Sequence, residues 1–519
     1  MKNVEFLSAK DAVEKIESGS RIATGGFVGV GVPETILKAL EKRFLETGMP
    51  KNLNLIYAAG QGDGKEKGLN RFGYEGMVDT VIGGHWGLAP KLGKLAFENK
   101  IKGYNLPQGV ISQLFRDIAA GKPGTISKVG IGTFVDPELE GGKVNSATTE
   151  EIVSKINILN EDYLFFKGVK IDVAIIRGTS ADESGNISME KEALKLEAQA
   201  IAMAARNSGG KVIVQVERKV KGGSIDPKLV EIPGIMVDYV VLAESQEDTM
   251  QTFGTQFKEE FVTRNIVVDT PDEKFLLDER KIIARRCAMI LKKEDTVLNY
   301  GIGMPEGIAA VLKEEEEDKY FIPTVEPGAI GGTPAGGLNF GASTAPESII
   351  SQPSQFDFYD GGGIDVAFLG LAQCDKFGNI NVSKFGPKLA GCGGFINITQ
   401  NAKNVIFCGT FTAGGLKIKA EEGKLIIENE GKVKKFTDDV EQITFSGNFA
   451  RENGKLITYV TERAVFELRC EGLTLVEIAP GIDLQKDVLN LMEFKPIILK
   501  DLKIMDERIF KNEKMGLKF

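Results

Sequence analysis

The stretch Thr324-Val325-Glu326-Pro327-Gly328-Ala329-Ile330-Gly331-Gly332 sets one carboxyl group between a short apolar run and a glycine-rich turn. Phe321, Ile322 and Val325 read as the last part of a strand. Pro327 pushes Glu326 out of the helical region into extended backbone. Gly328 lets the chain turn with positive φ. The spacing predicts Glu326 at the exposed carboxyl end of a strand, where open α/β sheets bind ligands. The glycine-rich run continues through Thr333-Pro334-Ala335-Gly336-Gly337 with neither helical nor strand period. So much glycine is costly in chain entropy, which points to close approach of backbone to a ligand. A surface loop acid is the plain alternative for Glu326.

A second constellation is Gly391-Cys392-Gly393-Gly394-Phe395. Its glycines expose backbone N–H groups that can hold an oxyanion. Cys392 reads as a small apolar filler rather than a nucleophile, because no histidine or clear base accompanies it. The sequence holds one histidine, His85, beside the one tryptophan in Ile82-Gly83-Gly84-His85-Trp86-Gly87. That excludes most Ser/His and Cys/His schemes and most histidine-based metal sites. His85 is expected to be packed in its glycine loop, and no metal site is expected.

The elements that must position these groups follow an alternating pattern. Ser8 to Gly19 predicts a capped helix, and Ser20 to Ala23 a strand running into Gly25-Gly26-Phe27 and then Pro33-Glu34, which opens a helix burying Ile36, Leu37 and Leu40. Leu53 to Ala59 is a second strand, ending in Gly60-Gln61-Gly62. Tyr104-Asn105-Leu106-Pro107-Gln108-Gly109 closes another apolar element. Val169 to Arg177 predicts a buried strand, Asp182 to Asn186 a turn, Glu190 to Ala205 a helix, and Lys211 to Val216 a strand.

This pattern repeats. Thr296 to Glu306 echoes the first strand–glycine–Pro–Glu unit, with Pro305 aligned on Pro33. Ile364-Asp365-Val366-Ala367-Phe368 echoes Ile171-Asp172-Val173-Ala174-Ile175, Asp375 to Ile380 echoes Asp182 to Ile187, and Asn404 to Phe407 echoes Lys211 to Val214. The first half carries a long insert between its Pro-Glu unit and Ile171. Strands alternating with helices imply a mostly parallel sheet covered on both faces. The expected architecture is two tandem, internally repeated open α/β/α domains: 1–245, a polar linker at 246–275, and 276–519 carrying Glu326. Opposite Glu326, the first copy is expected to offer Gly60-Gln61-Gly62, so that one copy is catalytic and the other supports it.

With 519 residues the chain is too long for a single core. A net charge of −9 argues against general nucleic-acid or anionic-membrane binding. Five scattered cysteines, Cys287, Cys374, Cys392, Cys408 and Cys470, suit a reducing, cytoplasmic setting. No apolar run has the length of a membrane span, and Met1 to Gly19 has no signal-peptide core.

Together these residues resemble the family I coenzyme A transferases, in the single-chain acetate/propionate type. The resemblance rests on Gly25-Gly26-Phe27, Pro33-Glu34, Asn105 to Gly109, Asn299-Tyr300-Gly301-Ile302-Gly303-Met304-Pro305, Glu326-Pro327-Gly328, Gly391 to Phe395, and Val460 to Phe466. It covers nearly the whole length. It implies that Glu326 is the nucleophile, that Gly393 and Gly394 form the oxyanion loop, and that Gln108 faces the active site. It implies further that Asn299, Gly301 and Gly303 lie near bound coenzyme A. The reaction implied moves coenzyme A between an acyl-CoA and a short-chain carboxylate, through a glutamyl-CoA thioester. Coenzyme A is then a substrate, and no cofactor is needed. A carboxylate nucleophile is ordinarily ionised at neutral pH and needs no base. A dry interface between the two domains would keep water from the intermediates. A homo-oligomer, dimer or tetramer, is expected. The rivals are a 3-oxoacid CoA-transferase, a sugar-phosphate isomerase of the same domain type, a thioesterase, and a non-catalytic sensor of an acyl-CoA or phosphate ligand.

Overall fold

The computed structural model describes residues 4–264 and 275–519. These divide into two compact units. The first comprises Met1–Ile266 with Val325–Phe358 and Lys384–Asn397; the second comprises Val267–Thr324, Tyr359–Ser383 and Ile398–Phe519.

The first unit is built on an eight-stranded sheet in the order Glu5–Leu7, Tyr239–Leu242, Lys211–Val216, Val173–Arg177, Arg21–Thr24, Leu53–Tyr57, Val78–Gly83, Lys102–Asn105. Every neighbouring pair in it is parallel. Parallel strands need covered faces, and their side chains alternate between them. Ala23, Ile56 and Ile82 join the helices Gln108–Ala119 and Ala198–Asn207 in one core. Ile22, Leu55 and Val81 join Glu34–Thr47 and Pro90–Phe97 in the other. The long insert supplies the two strands at one edge, Val78–Gly83 and Lys102–Asn105, the helix Gln108–Ala119 and an antiparallel three-stranded sheet of Gly124–Ser127, Val153–Ile158 and Glu161–Lys167.

In the second unit Ile322–Thr324, Val297–Tyr300, Val366–Gly370, Asn404–Cys408 and Leu456–Val460 run parallel. Ala464–Arg469 and Gly472–Ile478 continue the sheet antiparallel. The helices Glu279–Ala288 and Glu306–Glu314 pack together beside it.

The repeat is structural as well as sequential. Asp182 Oδ1 accepts the N–H of Ser184 and of Asn186, both at 2.9 Å. Asp375 Oδ1 accepts those of Phe377 and Asn379 at 2.9 and 3.0 Å. Asp172 and Asp365 each accept the first N–H of a neighbouring strand, from Arg21 at 2.7 Å and Val297 at 2.9 Å.

Three local expectations differ from the fold. The helix expected from Glu190 begins only at Ala198, because Leu196 takes φ 56°, a left-handed conformation that a helix cannot pass through. The N-terminal helix is one short segment, Ala9–Val13, capped by Ser8. The expected linker is partly core: Gln251, Thr252, Phe253 and Phe261 are buried in the first unit. Its residues 265–274 lie outside the described residues.

The segment bearing Glu326 packs with the first unit although it lies in the second half of the sequence. Val325, Ala329, Phe340 and Ala342 share a core with Phe27, Val28, Leu194, Leu196 and Phe261. Phe27 and Phe340 lie 5.5 Å apart, ring to ring.

Candidate active site

Glu326 stands two residues beyond the strand Ile322–Thr324, at the start of a tight turn. Val325 N–H donates to Ala329 O at 2.9 Å, and Gly328 N–H to Val325 O at 3.0 Å. Gly328 takes φ 120°, and a Cβ there would meet Ile350 O at 2.0 Å, so only glycine fits. The Glu326 side chain is buried rather than exposed, and its Oε2 finds no hydrogen-bond partner. Burial pushes its carboxyl up to about 7, opposed only by its own backbone N–H. The expectation of a carboxylate fully ionised at neutral pH is therefore corrected. Desolvation, not a neighbouring charge, sets its proton affinity.

The glycine loop is held against the first unit by a ladder of main-chain bonds. Trp86 N–H donates to Ala390 O at 2.7 Å, and Gly393 N–H to Gly84 O at 2.7 Å. Asn105 clamps the same loops: its Oδ1 accepts Cys392 N–H at 3.0 Å, while its amide donates to Gly83 O and Gly84 O at 2.9 and 2.7 Å. At the start of the helix Gln108–Ala119, two N–H groups that a helix leaves open are taken up. Gln108 N–H donates to Gly393 O at 2.9 Å and Gly109 N–H to Asn397 Oδ1 at 3.1 Å.

This ladder separates the two glycines. The Gly393 N–H is spent on Gly84, which leaves the Gly394 N–H as the loop's candidate oxyanion donor. Gly394 also packs directly on the acid: a methyl there would lie 3.0 Å from Glu326 Cγ and 3.2 Å from Phe356 Cζ. Gln108 flanks the other glycine, its Oε1 3.6 Å from where a Gly393 Cβ would be. Glu326, Gly393, Gly394 and Gln108 thus lie together in the first unit.

The remaining titratable groups nearby are uncharged at neutral pH. Burial pushes His85 down to about 4, and its Nδ1 has no partner. Burial also pushes the Cys392 thiol up, so it is the filler expected of it. Glu197, at the start of Ala198–Asn207, is fully buried with both oxygens unpartnered, and burial raises it to about 8.

Asn299, Gly301 and Gly303 belong to the second unit. Asn299 is buried, its amide donating to Thr324 O at 3.2 Å and to the Tyr359 hydroxyl at 3.3 Å, and its Oδ1 is unpartnered. Gly301 N–H donates to Phe368 O at 2.8 Å. Gly303 takes φ 86° with open space where a side chain would be.

Sequence reasoning assigned no role to Ser112, Gln352, Phe356 or Glu197. Their neighbours come from distant stretches, and the sequence offers no motif for any of them. Asn105 stood inside a quoted motif, and its position two residues before Pro107 was the available signal.

A buried carboxyl beside a glycine loop, on duplicated α/β sheets, fits the coenzyme A transferase family, to which the chain belongs. The family model described as "Coenzyme A transferase" matches residues 6–243. The caffeate CoA-transferase of Acetobacterium woodii is 48% identical over 99% of this chain and 98% of its own length. The acetate CoA-transferase YdiF of Escherichia coli K12 is 44% identical over 99% of this chain and 96% of its own. The crystal structure of an acyl-CoA transferase (YdiF) of Escherichia coli O157:H7, as a thioester complex with CoA, superposes with a TM-score of 0.94 at 42% identity. It covers 99% of this chain and 98% of that one. The chain is an enzyme that transfers coenzyme A.

Proposed function

We propose that the chain moves coenzyme A from a short-chain acyl-CoA to a free carboxylic acid by ping-pong covalent catalysis through Glu326. The observation that carries this reading is the buried Glu326 carboxyl, its Oε2 without a partner, packed on Gly394. In the first step a Glu326 carboxylate oxygen bonds to the thioester carbonyl carbon, the C–S bond breaks, and CoA leaves as thiolate. The thiolate then attacks Glu326 Cδ. The acyl group leaves as its carboxylate, and a glutamyl-CoA thioester remains. The incoming acid reverses both steps. A carboxylate is a weak nucleophile, so the attacked carbonyl must be polarised; one well-placed donor contributes about 2.7–4 kcal/mol, and Gly394 N–H is the group assigned to that task.

Desolvation has three effects here. It strengthens every electrostatic contact in the site, and it makes the nucleophile more basic than a surface carboxylate. It also keeps water from the anhydride and thioester. Asn299 and the Gly301 to Gly303 turn are assigned to the coenzyme A end of the substrate. The thioester named for the structure from Escherichia coli O157:H7 supports a covalent CoA intermediate here. Acetate and caffeate, named for the two relatives, mark the range of acids over which this chain's acceptor is to be sought. Five free cysteines support a reducing cytoplasm as its setting. Self-assembly into a dimer or tetramer is the expected state in solution.

The test is to incubate the enzyme with acetyl-CoA or propionyl-CoA without acceptor and weigh the peptide containing Glu326. A CoA adduct on that peptide, discharged by adding acetate, is the expected result. Transfer that proceeds with no adduct there would overturn the covalent route, and CoA release into water at the same rate would make the chain a thioesterase.

A further inference from the structure

Behind Gln108 lies a closed chain of side-chain hydrogen bonds that the transfer chemistry leaves unexplained. Ser112 Oγ donates to the Gln108 backbone carbonyl at 2.9 Å. Gln352 Nε2 donates to Ser112 Oγ at 2.7 Å. Gln108 Nε2 donates to Gln352 Oε1 at 3.4 Å, the longest link. Gln352 is itself anchored, its N–H donating to Leu196 O at 2.9 Å. All three residues are buried.

The hydroxyl has one proton to give, and its direction fixes both amides. With that proton on the Gln108 carbonyl, Ser112 can only accept from Gln352. The Gln352 amide must then turn its NH2 to Ser112 and its oxygen to Gln108. Gln108 in turn spends its NH2 on Gln352 and leaves Oε1 beside Gly393. If the hydroxyl swings to Gln352, every member reverses: Gln352 gives its NH2 to Gln108 Oε1, and Gln108 presents NH2 beside Gly393. The Gln108 carbonyl loses little by this, since it sits in the first turn of a helix and keeps its main-chain partner.

We propose that Ser112 and Gln352 are positioning residues which, through the Gln108 amide, set whether the reaction space beside Gly393 meets a hydrogen-bond acceptor or a donor. The proposal rests on the reading of Glu326 as nucleophile. The oxygen-out arrangement suits a protonated Glu326, which can donate. The NH2-out arrangement suits an ionised Glu326 or an oxyanion, which can only accept. A swing of the Ser112 hydroxyl with half-turns of the two amides thus matches the site to both charge states through which the carboxyl passes. The titratable groups on the packed elements do not supply this match. His85, Cys392 and Glu197 are all neutral at pH 7, and no charged side chain acts on Glu326.

The test is the pH profile of kcat/KM for CoA release from acyl-CoA in wild type, Ser112→Ala and Ser112→Thr, with melting temperatures measured alongside. In Ser112→Ala one end of the Gln352 amide faces a methyl. A buried carbonyl tolerates that better than a buried NH2. Gln352 therefore turns its oxygen to Ala and its NH2 to Gln108, which fixes Gln108 NH2-out and favours the ionised acid. The acid limb moves to lower pH by about 0.5–1 unit, and Ser112→Thr, which keeps the hydroxyl, restores it. An acid limb that stays in place in Ser112→Ala overturns the proposal, including the case where the rate falls equally at every pH. Failure of the underlying covalent reading would register separately, as a Glu326→Ala enzyme that still transfers CoA.

Discussion

The strands Arg21–Thr24 and Val297–Tyr300 hold the same place in the two copies of the sheet, yet they meet different chemistry. Ala23 pairs with Ala174 on one side and Ile56 on the other. Asn299 pairs with Ala367 and Thr324 in the corresponding register. Counting two residues on from Ile56 and from Thr324 reaches Ala58 and Glu326. The position opposite Glu326 is therefore Ala58, not the expected Gly60-Gln61-Gly62. Gly60 lies two residues beyond Ala58 as Gly328 lies two beyond Glu326, so the expected glycines fall on the turn and not on the acid. Two buried alanines of the first copy are thus an amide and a carboxyl in the second. The two copies share a frame, and at these positions they carry two differences in polarity.

The largest effect expected follows from undoing one of them. Glu326→Ala gives the second copy the residue of the first and lowers CoA transfer by about 10⁴-fold or more, as loss of a covalent nucleophile does. The melting temperature holds or rises, because a buried carboxyl with one unpartnered oxygen is removed. Next is Gly394→Ala, whose methyl must displace Glu326 Cγ or the Phe356 ring. Steady-state rates fall about 10²-fold, with adduct formation slowed in proportion. Asn299→Ala, the other reversal, removes two hydrogen bonds from the strand end and costs about 1–3 kcal/mol of stability, read as a lower midpoint in urea.

The acid limb of the wild-type profile comes next. A carboxyl raised to about 7 is increasingly protonated below that pH and loses its nucleophilic form, so kcat/KM falls about tenfold per unit on the acid side. An acid limb near 4.5 would mean that substrate or solvent rehydrates the site. The smallest effect belongs to Glu197, which is equally buried but assigned no chemistry. Its raised proton affinity, about 8 when folded, means that wild type loses stability as pH rises from the ordinary carboxyl range through 8. Glu197→Gln removes that loss. Its melting temperature exceeds wild type by a few degrees, about 2–4 °C, at pH 8, and by much less at pH 5, with transfer rates unchanged.

Much of this was legible beforehand because strand period, Pro-Gly punctuation and the four-part repeat are local signals. Lys211–Val216 and the Asp182 and Asp375 turns appear in the structure where the sequence puts them. Glu326 was legible from Pro327 and Gly328, but its burial was not, since Phe27, Leu194 and Phe340 come from stretches far apart in sequence. The same holds for Gln352 and Ser112, whose partners lie 240 residues apart. The start of the helix at Ala198 was missed because nothing in Leu196 announces a left-handed backbone.

The first unit is assembled from three pieces of sequence, the last ending at Asn397. A chain emerging from the ribosome therefore holds Phe27, Leu194 and Phe261 without Val325 and Phe340, and the loops at Gly84 and Asn105 without Gly393, until most of its length is made. Translation must deliver Glu326 and its glycine loop after the rest of the first unit.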